Sequence, residues 1–408
     1  KTVGYYDYLQ LINTGAVMNY AFGDTTKGDY AYESAPNSTD LTWETVITKN
    51  IGLDLGFLNN RLNVSFDAYI RDTKDMLMAG KTLPGVYGAS SPRMNVADLR
   101  TKGWEASITW GDSFTLASKP FNYRIMAGIG DNTSKVTKYD NPNRTLTDPY
   151  EGQQLGEIWG YVVDGYFKTD EEARNYKVDQ SFVNQMINAS ALDNGLHAGD
   201  LKFVDLDGNN KIEQTTSAND RKDMKVIGNS LPRYNYNFGI SADWYGIDFS
   251  VLFQGIGKQN WYPGAETSMF WGPYSRPYAS FIPSDFMSQV WSEENTNAYF
   301  PHPRGYVALG SNRELAVVNT KYLQNLAYCR LKNLSIGYTL PDKWLSKIGF
   351  EKIRVYFSGE NLLTFTKLHS DYIDPEQASA SNSWKTSKSD ANIYPWAKTY
   401  SFGVDITF

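Results

Sequence analysis

The segment DLKFVDLDGNNKIEQTTSANDR, residues 200–221, carries the sharpest chemical pattern in the chain. Asp205, Asp207 and Asn209 alternate as the first, third and fifth positions of a calcium loop do. Lys211 then offers its backbone carbonyl, and Ile212 anchors the loop on the apolar side. Oxygen donors at alternate positions suit a hard cation that takes about six to eight ligands. Two positions depart from that pattern. Asn210 stands where glycine is usual, although asparagine tolerates the left-handed conformation, and Thr216 occupies the place of the closing glutamate. Glu213 or Asp220 must then complete the acidic set. The same composition also makes an ordinary surface turn closed by its own Asp and Asn side chains. Both readings stand on the sequence, and calcium is the expected cation under the first.

A second candidate is NWYPGAETSMFWGPYSRPYASFI, residues 260–282. Trp261, Trp271, Tyr274 and Tyr278 could stack on a sugar or peptide, or anchor a partner protein at an interface. Self-packing of the segment, or a place in an interfacial aromatic belt, uses the same residues. Catalytic patterns are not found. GIGDNT (128–133) and GIGKQN (255–260) complete no phosphate-binding motif. His197, His302 and His369 are dispersed, and Cys329 is the sole cysteine, so neither a nucleophile with its base nor a cysteine metal site is legible. The sequence reads as a non-enzyme.

The elements that hold these segments are strands. The 408 residues carry a net charge of −6 with no basic stripe, which argues against nucleic acid, and aromatic residues reach 15% with 29 Tyr. No apolar run is long enough for a membrane helix. Alternation of apolar and polar residues dominates instead. Ile51, Leu53, Leu55 and Phe57 oppose Gly52, Asp54 and Gly56; after Asn59-Asn60, Leu62, Val64, Phe66, Ala68 and Ile70 continue the pattern. Comparable pairs of segments run through 104–129, 234–253 and 334–357. The second face carries Asn, Ser, Asp, Arg, Thr, Glu and Gly, which suits a wet lumen better than a sandwich core.

Short turns near 58–61, 111–120, 245–246 and 341–350 alternate with long polar segments at about 12–42, 72–100, 132–231, 259–321 and 368–395. Segregated short and long connections are the mark of an outer-membrane barrel. A soluble β-sandwich also alternates, but the strand lengths and loop segregation favour the barrel. The expected fold is all-β, an antiparallel transmembrane β-barrel with about nine or ten spanning strands in this chain.

Five stretches sharpen this: LTWETVITKNIGLDLGFLNNRLNVSFDAYIRDTKDML (41–77), GASSPRMNVADLRTKGWE (88–105), IWGYVVDGYF (158–167), YCRLKNLSIGYTLP (328–341) and VYFSGENLLTFT (355–366). Together, and in this order, they resemble the C-terminal half of the barrel in the SusC/RagA group of TonB-dependent outer-membrane transporters of Bacteroidetes. The resemblance covers nearly the whole chain; Cys329 stands where the family more often has leucine. It implies the C-terminal strands of a large barrel of about 22 strands. It also implies a plug domain outside this chain, import of oligosaccharides or peptides, and a SusD-like surface lipoprotein as lid. Further implied partners are TonB-ExbB-ExbD, reached through the missing N-terminal part, the barrel-assembly machinery and the lipid bilayer. The rival is an outer-membrane barrel with a binding, adhesin or structural role and no import. A third reading is a soluble all-β glycan-binding module.

The chain closes on TYSFGVDITF, residues 399–408. Ser401, Gly403, Ile406 and Phe408 fit the barrel-assembly signal of outer-membrane proteins. The reading therefore expects a native C-terminus, and a start at Lys1 cut from a longer polypeptide.

Overall fold

The computed structural model describes residues 9–15, 30–33, 36, 38, 41–81, 83–88, 91–184, 195–275, 282–303, 305–345, 349–378, 388–389 and 394–408. Nine strands form one antiparallel meander. They are β1 (Thr45–Phe57), β2 (Leu62–Ala79), β3 (Arg93–Leu116), β4 (Lys119–Lys138), β5 (Arg233–Trp244), β6 (Ile247–Lys258), β7 (Tyr328–Thr339), β8 (Lys352–Thr366) and β9 (Thr399–Thr407). Each strand pairs with its neighbours in sequence, so the order across the sheet is simply β9 to β1. By internal contacts the chain divides into two units. One comprises 1–49, 70–102 and 134–154; the other comprises 50–69, 103–133 and 155–408.

Tight turns at one end follow from local chemistry. Leu58, Asn59 and Asn60 take positive φ between β1 and β2, and Ala117-Ser118 and Tyr245-Gly246 do so in the next two hairpins. Paired positive φ values match the right-handed twist of flanking strands. The strands themselves reach further than alternation suggests. β2 runs to Ala79, β3 begins at Arg93 and β4 continues to Lys138, so the wall takes in parts of the 72–100 and 132–231 segments.

Register puts like with like. Phe238 pairs with Phe253, Ile240 with Val251 and Ala242 with Phe249 across β5–β6, and Val355 and Phe357 pair with Val404 and Phe402 across β8–β9. The two Phe238 and Phe253 rings stack at 4.7 Å. Nothing among the described residues covers this face: Ile51 is 73% exposed and Phe402 83%. An apolar face this continuous, on a sheet whose other face is polar, is built for hydrocarbon on one side and water on the other. Among the described residues no helix is long and apolar enough to cross a membrane, so strands alone form this face.

The well-packed apolar core lies outside the wall. It is assembled from the long connections between 155 and 378, around Trp261, Tyr262, Trp271, Phe203, Leu201 and Tyr322.

Candidate functional site

The 205–213 turn is knit by its own side chains. Asp205 accepts from the Gly208 and Asn210 amides at 2.7 Å each. Asp207 accepts from the Asn209 amide at 3.0 Å, and Asn209 accepts from the Lys211 amide at 2.8 Å. Asn210 adopts φ 63°, the left-handed conformation in which asparagine replaces glycine at low cost. Ile212 is fully buried and pins the turn to the core.

Among the described residues, Asp205, Asp207 and Asp223 bring ligand oxygens within 4.8 Å of one another. Asp223 was not singled out by the sequence pattern, because it lies beyond the twelve-residue loop. The fold returns it to the turn, where it accepts from the Leu206 and Glu213 amides at 2.8 and 2.7 Å. Burial raises its pKa, and the neighbouring Asp207 and Asp205 charges add to the rise. Glu213 and Asp220 lie outside this trio. Glu213 accepts from Asn209 and pairs with Lys222 at 3.3 Å, while the Asp220 carbonyl accepts from Thr215.

The aromatic segment requires a correction. Trp261 and Trp271 are completely buried and Tyr274 almost so, which removes their faces from any ligand or partner. The Trp271 indole donates to the Gly264 carbonyl at 2.9 Å, and Tyr274 donates to the Pro301 carbonyl. The rings of Phe270 and Trp271 meet edge to face at 4.7 Å. A large apolar surface with its polar atoms satisfied stabilises a core more than it serves a binding face. Tyr278 lies outside the described residues.

Polar groups of the wall are organised into cross-strand staples. Arg354 on β8 holds Asp248 on β6 at 2.8 and 2.6 Å and Asp405 on β9 at 3.2 Å. It also lies over the Tyr356 ring at 4.6 Å. Intervening Gly337 leaves room: a Cβ there would meet the guanidinium and Asp248 at 2.5 Å. Higher on β7, buried Arg330 binds both oxygens of Asp374 at 2.6 and 2.7 Å and Glu376 at 2.8 Å, fastening the connection after β8 to the wall.

These staples give physical meaning to the stretches that carry the family resemblance. In MNVADLRTKGWE, Asn95 bonds the backbone of Thr42 and Asp75, Asp98 accepts from the Asp75 amide, and Arg100 binds Asp72 at 2.6 Å. Gly103 makes room for the Tyr69 ring, which a Cβ would meet at 2.5 Å. In SGENLLTF, the β7–β8 register shifts between Leu331 and Asn333, and Asn361 opposite takes φ 53°: a β-bulge with asparagine at its left-handed position. In IWGYVVDGYF, Tyr166 donates to the Tyr299 carbonyl and meets the Tyr322 hydroxyl at 2.9 Å.

A wall apolar on one face and stapled by polar groups on the other is the kind of sheet from which an outer-membrane barrel is built. The family model for TonB dependent receptor-like β-barrels matches residues 5–362, and the chain belongs to that family. Its members are transport receptors, not enzymes. TonB-dependent receptor P3 of Formosa agariphila is 28% identical over 388 residues, covering 90% of this chain and 34% of that protein. TonB-dependent receptor SusC of Bacteroides thetaiotaomicron is 25% identical over 393 residues, covering 95% and 34%. The fold is also that of the RagAB peptide importer in its open-open state, with TM-score 0.70 at 22% identity, covering 100% of this chain and 38% of that one. The chain thus spans about a third of the length of the curated relatives it matches.

Proposed function

We propose that the complete protein imports oligosaccharides or peptides across the bacterial outer membrane, driven by TonB and capped by a SusD-like surface lipoprotein. The observation that carries this is the wall itself: a nine-stranded meander with one lipid-suited face and one polar face, matched along most of its length to a receptor barrel. The stapled polar face suits the lining of an aqueous path, and nothing in the wall asks for bond-making chemistry. Deleting the gene should abolish uptake of one labelled glycan or peptide class, and the full-length gene should restore it. Restoration by a version lacking its TonB-contacting segment would favour a binding or structural barrel instead.

We further propose that the Asp205, Asp207 and Asp223 cluster holds a hard cation, calcium by donor type. Three carboxylates converging on one point repel each other, and an oxygen-liganded divalent ion relieves that repulsion. Asp223 then takes the closing role first expected of Glu213 or Asp220.

A further inference from the structure

On the polar face of the wall, β2, β3, β4 and β5 line an open cavity of about 370 Å³, within the range of small-ligand sites, about 300–1,000 Å³. Its side chains are nearly all hydrogen-bonding groups: Asp67, Glu105, Ser107, Asn132, Asn235 and Asn237. Several such groups elsewhere on this face are spent on cross-strand staples, Asp248 and Asp405 on Arg354 among them. Asp131, which also lines the cavity, is spent in that way on Arg233. Asp67 and Glu105 have no hydrogen bond or ion pair among the described residues.

The hollow is made by glycine. Gly128 and Gly130, from the GIGDNT stretch, form its floor within β4; a Cβ would meet the Asn237 amide at 3.2 Å or the Glu105 side chain at 3.2 Å. Glycine inside a strand weakens pairing and is kept where something must approach the backbone closely.

We propose that this cavity binds a segment of the solute on its way along the polar face of the wall, and that the solute is a glycan, neutral or amine-bearing but not acidic. The proposal rests on the import reading and assigns it a substrate class. Two unneutralised carboxylates accept but cannot donate, so they recognise vicinal hydroxyls or an amine and repel a uronate. The three asparagine amides add donors and acceptors in the same small space, as a polyhydroxylated ring requires. A peptide backbone offers fewer donors per unit length and does not match an acceptor-rich lining as closely.

Saturation-transfer NMR on the complete receptor in detergent tests this with three probes: maltoheptaose, a chitosan heptamer and heptagalacturonate. The first two should receive saturation and the third should not. The Asp67→Asn/Glu105→Gln double variant, and separately the cavity-filling Gly128→Val, should bind maltoheptaose about five- to tenfold more weakly. Equal signal from heptagalacturonate overturns the proposal, as does binding that is unchanged in both variants. A lowered melting temperature with unchanged binding also overturns it, and assigns the cavity to another segment of the same protein. The readout is contact at equilibrium, so a failure of energised uptake in the wild-type protein leaves it standing.

Discussion

Asp223 illustrates how a single residue changes the meaning of a motif. Alternating Asp205, Asp207 and Asn209 promised a cation loop but lacked a closing acid. The fold supplies one from outside the pattern, buried and held by two backbone amides. Sequence spacing could not find it, since the return of residue 223 depends on the pairing of Met224–Asn229 with Glu157–Tyr161. With calcium at about one hundred times its dissociation constant, the loop core that carries this turn should gain about 2.7 kcal/mol of stability. Calorimetry with calcium and then with a chelator measures that difference. Asp223→Asn should remove most of the gain, while Asp220→Asn should leave it intact; a calcium response equal in both variants would argue against the trio. Buried Trp271 teaches the opposite lesson: its type suggested a contact surface, and only three-dimensional packing reveals an anchor of the core.

At the level of the strand, the alternating pattern of the sequence carried the nine-stranded meander and both of its faces. What it did not carry were the strand ends, because β2, β3 and β4 extend into segments rich in Asp, Lys and Asn. Those residues are tolerated there since side chains such as Asn95 and Arg100 bond across neighbouring strands. The terminal strand shows how register is fixed. Gly403 sits opposite Tyr356, whose ring occupies the space of the missing side chain; a Cβ would meet it at 2.3 Å. Gly403→Val should therefore lower the amount of assembled receptor in the outer membrane, and adding Tyr356→Ala should restore part of it. Phe408, whose ring lies 5.3 Å from Phe350, is proposed to act in the same step, so its removal should cut surface level more than substrate affinity. Quantitative blotting of membrane fractions decides both; unchanged levels would show that neither contact matters for assembly.

For the molecule as a whole, two media impose two kinds of order. The wall leaves an apolar face exposed and the loop layer buries its apolar residues, so a single hydrophobicity scale read along the chain cannot separate them. That is why the barrel was legible in the sequence while the loop core was not: its members, from Tyr161 to Ala378, have no common period. Trp271→Ala should destabilise that layer by about 3–5 kcal/mol, with the strands left paired. Hydrogen exchange should then quicken across 260–275 and 298–303 but not in β5 or β6; a uniform rise would mean that wall and layer unfold as one. The Arg330 clasp on Asp374 and Glu376 ties these two kinds of order at one point. Its consequence concerns time rather than stability. The clasp joins residues on either side of β8, so it is expected to close after β7 and β8 have paired. The connection after β8 is thereby expected to be fastened late, once its two strands are in place. Protection of residues 368–378 from protease then becomes a timestamp for β7–β8 pairing.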